Sequence, residues 1–282
     1  MDKVIITRDM VFADLPKREV AAHKGNFGRI LLLCGSVGYT GAASLAAMGA
    51  LRSGSGLVFS GVPEPIYPIV AGKLTEPVVF PLPAEQGALS VKALREILMR
   101  LPKMEAVLLG PGLGRTEGTL ACVRTVLEEA RIPVILDADG INVMATHKDV
   151  LRESACPLIL TPHEGEFVRL LGRNIVSREE DAMHLARELD CICVLKGHNT
   201  VVTDGETCYI SPVGNPGMAT GGCGDVLAGI ITSLCGQGLS PLSAAKCGVW
   251  LHGRAGDICA KEIGQYGMLP TDMLQALTRL LP

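Results

Sequence analysis

Aromatic residues are scarce in this sequence, 4% of 282, with a single tryptophan. That scarcity excludes the rows of stacked rings that single-stranded nucleic acid requires. An excess of positive charge is also missing: 26 Lys and Arg against 29 Asp and Glu leave a formal net charge of −3. A chain so balanced has no electrostatic claim on a phosphate backbone or an anionic membrane. No apolar run approaches the ~18 residues of a membrane span. The opening MDKVIITRDMVFADLPKREV alternates charged with apolar residues and lacks a signal-peptide core. Ten cysteines are scattered without one C-x-x-C pair, and a chain this long does not need disulfide staples. They are expected to be reduced, mostly buried thiols. Linker-like segments, low-complexity tracts and internal repeats are absent too. Together these absences predict a soluble, cytoplasmic protein, one domain over 1–282, with no nucleic-acid and no membrane partner.

What is present is a repeating order of short apolar run, Gly-rich turn and helix-like stretch. The apolar runs are Arg29–Cys34, Leu57–Ser60, Ala106–Leu109, Val134–Leu136, Leu158–Leu160 and Ile192–Leu195. Their length and unbroken apolar character suit strands buried on both faces, as in a parallel sheet. Helical spacing marks Ala42–Arg52, Thr116–Ala130 and Ser177–Leu189, the last opening as SREE, a capping-box-like start. TVVTDGETCYIS reads as a hairpin turning at Asp204-Gly205. Asp225–Cys235, Leu242–Ala260 and Thr271–Leu281 are mostly helical. The alternation predicts an α/β fold, a three-layer α/β/α sandwich around a central, mostly parallel sheet.

In such a sheet ligands collect outside the C-terminal ends of the strands. The unusual sequences fall there: CGSVGYTGAA, GPGLG, DADGIN, TPHEGE and KGHNT each follow a predicted strand. GNPGMATGGCGDVLAG then leads into a helix. Its glycines let backbone N–H groups converge at a helix N-terminus, where an anion is favoured. A tight turn with Asp225 as the helix cap is the simpler explanation, but it does not account for the whole glycine cluster. A phosphate-binding turn with a general base beside it does. The stretch is neither a Walker loop nor a G-x-G-x-x-G fingerprint. His163 reads equally well as a polar strand-end residue, Lys196 as a solvated charge, and Asp137 and Asp139 as strand-end caps or site lining. His252 is expected to pack in the core.

GNPGMATGGCGDVLAG resembles the signature of the ADP-dependent (S)-NAD(P)H-hydrate dehydratases, a family of the ribokinase-like superfamily. HKGNFGRILLLCGS, YTGAASLAAMGALRSGSGLV, LGPGLG, LDADGIN, LTPHEGEF, VLKGHNTVV and YGMLPTDM resemble that family in the same order, over nearly the whole chain. The resemblance implies a ribokinase-like fold. It also implies repair of NADHX and NADPHX, nicotinamide cofactors with water added across a ring double bond. Hydroxide leaves poorly, so the hydroxyl is phosphorylated by ADP with Mg2+ present, and phosphate is then eliminated.

By the same resemblance Asp225 is the catalytic base, and the amides of Gly222 to Gly224 stabilise charge on the phosphoryl group. The hydrated cofactor is expected at Gly41, Ala42, Ala43, Gly112, Gly114, His163 and Asp225, where small residues let a bulky dinucleotide approach the backbone. ADP is expected at Lys196, Gly197, His198, Asn199, Thr200, Gly222 and Gly224. Glu166 is a candidate to organise water around Mg2+; direct metal ligands are not identified. Cys223 stands where Thr or Ser is expected, which predicts sensitivity to oxidation. A homotetramer is implied, and a separate epimerase as functional partner, since the chain has no room for an N-terminal epimerase domain. The rival readings are an ATP-dependent kinase of a small vitamin-precursor alcohol (hydroxyethylthiazole or hydroxymethylpyrimidine type) on the same fold, and a non-catalytic nucleotide sensor.

Overall fold

The computed structural model describes residues 3–281. The first half runs β1 (Lys3–Ile5), α1 (Arg8–Asp14), β2 (Arg29–Leu33), α2 (Thr40–Arg52), β3 (Leu57–Pro63), α3 (Tyr67–Lys73) and β4 (Val78–Leu82). A small hairpin, β5 (Ala84–Glu85) and β6 (Ala88–Leu89), precedes α4 (Leu94–Arg100), β7 (Ala106–Leu109), α5 (Glu117–Glu129) and β8 (Val134–Leu136). Then come α6 (Asp139–Met144), α7 (Lys148–Arg152), β9 (Leu158–Leu160), α8 (Glu164–Leu171), α9 (Arg178–Leu189) and β10 (Cys191–Leu195). The chain closes with β11 (Thr200–Thr203), β12 (Cys208–Ser211), α10 (Cys223–Gly236), α11 (Pro241–Glu262) and α12 (Pro270–Leu277).

Ten strands form one sheet in the order β1-β12-β11-β10-β9-β8-β7-β2-β3-β4. Only β11 runs against the others. This is the mostly parallel three-layer sandwich read from the sequence. Alternate side chains of each strand serve opposite faces. Ile30 and Leu32 of β2 join the core under α2, α10, α11 and α12, while Leu31 and Leu33 join the core under α4, α5, α8 and α9. The TVVTDGETCYIS hairpin is β11–β12, with the Asp204 carboxylate accepting the Glu206 and Thr207 N–H groups across the turn.

All ten cysteines are free and buried. Among the described residues no helix is long and apolar enough to cross a membrane. Strands β1 and β4 were not foreseen. Asp225 differs as well: Gly222 is the cap of α10, and Asp225 is the third residue inside it. The positive φ of Gly222, 100°, explains why a glycine and not the acid takes the capping place.

The order of the strands reverses direction between β2 and β7. A crevice opens outside their C-terminal ends at such a switch point. The CGS turn after β2 and the GPGLG turn after β7 meet there, the Gly35 N–H donating to the Pro111 carbonyl at 2.8 Å and Ser36 Oγ to the Gly112 carbonyl at 2.7 Å.

Candidate active site

The first turn of α10 lies beside the residues that follow β8 and β10. No side chain caps this helix, and the Gly224 and Asp225 amides find no acceptor among the described residues. Free amides at a helix N-terminus are donors awaiting an anion. A Cβ added at Gly224 would sit 3.4 Å from Lys196 Nζ and 3.9 Å from Asp137 Oδ2. The turn, the ammonium and two carboxylates therefore share one small space.

Asp225 is half-buried there. Burial pushes its pKa up to about 7; the nearby Asp137 charge adds to the rise and Lys196 opposes it. A carboxylate poised near neutrality suits a general base. Lys196, the first residue after β10, donates from Nζ to Asp137 Oδ1 at 2.6 Å. Burial works against its charge, yet Asp137, Glu166 and Asp225 outweigh burial and raise its pKa. Asp137 itself is 1% exposed. The sequence left it as strand-end lining; the structure puts it beside both Lys196 and Asp225.

Between the two acids of DADGIN, Ala138 has φ 48° and ψ −117°. That region is costly for any residue with a Cβ, and strain of this kind gathers at functional sites. The sharp corner sends two neighbouring carboxylates to different tasks. Asp137 turns to Lys196, while Asp139 accepts the Gly114 N–H at 3.0 Å and the Arg115 Nε–H at 2.9 Å. Asp139 thereby shapes the GPGLG turn.

The other expected site residues divide. Gly41 opens α2 with free space where a Cβ would stand, and Gly112 is closed over by Tyr39 and Ala42, whose Cβ atoms lie 2.8 and 3.0 Å from its own built position. Gly114 follows in the same turn. Ala43 is fully buried and packs beneath Gly35, so its side chain faces the core and not the crevice. His163 caps α8: its Nδ1 accepts the Gly165 N–H at 3.0 Å, and Glu166 Oε2 accepts the His163 N–H at 2.9 Å. The imidazole remains 56% exposed at the crevice rim, with Nε2 3.3 Å from Glu166 Oε1. Gly197, His198 and Asn199 form an exposed loop between β10 and β11, closed by Thr200 Oγ1 donating to the Gly197 carbonyl at 2.9 Å. Lys196 stands apart from that loop, turned inward.

Cys223 corrects an expectation. Its thiol is buried, 3.8 Å from Met273 Sδ, and burial raises its pKa. A buried thiol with little thiolate is inert, so the predicted oxidation sensitivity loses its basis. His252 packs in the core as expected, with burial lowering its pKa to about 4. Among the described residues no three His, Cys, Asp or Glu side chains gather as a metal site. Both Glu166 oxygens are engaged at His163. The residues present suit Mg2+ as an ion carried on nucleotide phosphates with its waters, not as one caged by protein.

Comparison with known proteins gives this geometry a lineage. A family model described as NAD(P)H-hydrate dehydratase matches residues 30–279. The bifunctional NAD(P)H-hydrate repair enzyme Nnr of Moorella thermoacetica is 44% identical over 98% of this chain and 53% of its own length. The chain spans about half the length of several such curated relatives. The ADP-dependent (S)-NAD(P)H-hydrate dehydratase of Listeria monocytogenes is 33% identical, covering 98% of this chain and 95% of that protein. Among solved structures, the ADP/ATP-dependent NAD(P)H-hydrate dehydratase of Bacillus subtilis, co-crystallised with ATP and Mg2+, aligns with a TM-score of 0.83 at 32% identity, over 99% of this chain and 98% of that one. The chain belongs to the NAD(P)H-hydrate dehydratase family.

Proposed function

We propose that this chain dehydrates the S-form of NADHX and NADPHX back to NADH and NADPH, with ADP as phosphoryl donor and AMP and phosphate as products. The observation that carries the reading is Asp225, half-buried on the first turn of α10 beside amides that lack acceptors. Asp225 takes the proton of the substrate hydroxyl. The freed oxygen bonds to the terminal phosphorus of ADP, and the bond from that phosphorus to the bridging oxygen breaks, its electron pair leaving with AMP. Phosphate then departs from the ring carbon while the neighbouring carbon loses a proton, restoring the double bond.

The Gly222, Gly224 and Asp225 amides meet the phosphoryl oxygens, where aligned donors are worth most. The loop from Gly197 to Thr200 holds the rest of the nucleotide. Gly41, Ala42, Gly112, Gly114 and the exposed His163 ring border the hydrated cofactor, with Ala43 supporting the turn from beneath. Mg2+ carried on the nucleotide would neutralise its phosphates. Exposed Val37, Tyr39, Tyr266 and Leu269 supply apolar area for a homotetramer, and the epimerase that supplies the S-form acts in the same compartment, the cytoplasm.

The test is incubation with hydrated NADH and each nucleotide. Return of reduced-nicotinamide absorbance together with release of phosphate is expected. A stable phosphorylated product would favour a small-alcohol kinase on the same fold, and ADP binding without turnover a sensor.

A further inference from the structure

Nucleotide binding does not explain Asp137. It is the buried residue after β8, and Thr161, the residue after β9, donates from Oγ1 to its Oδ1 at 2.8 Å. Lys196 donates to that oxygen from the end of β10. Three adjacent strands thus end in one hydrogen-bonded group. A lysine meant only to attract a nucleotide would stand in solvent like its loop neighbours His198 and Asn199. This one retains only 20% of its side-chain exposure, and Asp137 2%. Burying such a pair contributes little to stability. The strained backbone at Ala138 turns the chain away just after Asp137, and strain with no return in stability points to placement. What is placed is the ammonium, beside Gly224 at the mouth of the α10 turn.

We propose that Asp137 is a positioning residue for phosphoryl transfer: with Thr161 it fixes Lys196, whose ammonium meets the phosphoryl group at the Gly224 turn. This rests on the function proposed above and assigns Lys196 to the group in transfer, not to the remainder of the nucleotide. In the transfer step the substrate oxygen bonds to phosphorus, the bridging oxygen leaves with AMP, and Asp225 receives the hydroxyl proton. Lys196 neutralises charge on the non-bridging oxygens and neither gains nor loses a proton. A cation held in place before the reaction stabilises that charge without reorganising. The ammonium of a free lysine would have to be collected first.

The experiment uses the full chain with hydrated NADH and ADP, comparing wild type with Asp137→Asn, Lys196→Met and the double variant. Each single change is expected to lower kcat by about 10-fold or more. The double variant should be no slower than Lys196→Met, because Asp137 acts through Lys196. ADP affinity in Asp137→Asn should stay within about threefold of wild type. Asp225 faces Asp137 from β8 and Lys196 from β10, with the thiols of Cys34 and Cys223 near it. Removing the Asp137 charge should therefore move the acid limb of the rate profile to lower pH; the readout that a merely structural role would not give is a fall in kcat at retained ADP affinity that disappears on the Lys196→Met background. Thr161→Val keeps shape and loses only the hydroxyl, so it serves if the pair variants fail to fold; kcat should fall about 3-fold or more with melting temperature little changed. Unchanged kcat in Asp137→Asn or in Thr161→Val overturns the proposal, as does a double variant whose losses multiply. If wild type itself shows no turnover of the hydrate, the functional reading fails and this one with it; normal turnover with indifferent variants defeats this one alone.

Discussion

Two contacts on opposite faces of the sheet are packed by different means. Under α2 and α10 the helices meet backbone to backbone: a Cβ on Gly49 would stand 2.6 Å from the Val226 carbonyl oxygen, and one on Gly229 2.1 Å from that of Ala46. Under α5 and α8 the filling is large side chains, Leu127, Phe167 and Leu170, all fully buried. Large residues can be exchanged at constant volume with small losses, whereas a backbone contact admits nothing. Both helices of the intolerant contact begin at the candidate site. That contact fixes how α2, which carries Gly41, lies against α10, which carries Gly224. The side-chain layer fills the opposite side of the sheet.

The sharpest way to break this contrast is to add one side chain at the backbone contact. Gly229→Val should exceed the ~1–3 kcal/mol typical of overpacking, because the obstacle is a main-chain oxygen, and it should lower both the melting temperature and turnover. A variant as stable as wild type would mean that α10 and α2 can separate freely. On the other face, Leu127→Ala should cost about 2–5 kcal/mol of stability by denaturant unfolding while leaving kcat within about twofold at a temperature where the variant is folded. Loss of kcat out of proportion would show that the side-chain layer also governs the site.

Asp225→Asn reads the same platform through chemistry. It should keep fold and ADP binding and lower kcat by at least about 10². Wild-type kcat/KM should rise with pH through about 7 as the carboxylate ionises, and the variant should lack that limb. The sign for stability is opposite. A carboxyl whose folded pKa lies above its unfolded value stabilises the fold below the unfolded pKa and loses that contribution as pH rises through about 7. Melting curves should show Asp225→Asn gaining on wild type between pH 4 and 7, by on the order of 1–4 kcal/mol. The smallest effect is expected at the rim. His163→Asn keeps a competent cap on α8 but loses the ring, and should weaken hydrate binding by roughly 5- to 150-fold, about 1–3 kcal/mol, with ADP affinity unchanged. Weaker ADP binding with an intact hydrate titration would exchange the two ligands.

How much of this was legible depended on whether the cause was local. AVLL, VIL and LIL read as strands because their residues are apolar throughout, and β7, β8 and β9 fall on the expected residues. Strands β1 and β4 escaped because one, KVI, opens on a lysine and is largely exposed, and the other, VVFPL, contains a proline that an edge strand tolerates. The glycine turn and Asp225 announced themselves by composition. The partnership of Asp137 with Lys196 could not, since 59 residues separate them and only the strand order brings them together. Nothing about an alanine foretells the positive φ of Ala138. The capping role of His163 was within reach: the acid three positions on, Glu166, is the spacing of a capping box, but histidine is not among the usual caps.

The ten buried thiols turn the molecule into its own recorder of opening. They lie on both sides of the sheet: Cys34, Cys235 and Cys247 in one core, Cys122, Cys193 and Cys208 in the other. Burial pushes Cys193 and Cys235 up to about 12, so at neutral pH neither presents a thiolate to an alkylating reagent. A reagent is therefore consumed only as fast as each layer lets it in, and mass spectrometry of the labelled peptides times the two layers separately within one native population. A ligand seated on α10 should slow the clock on its own side of the sheet first.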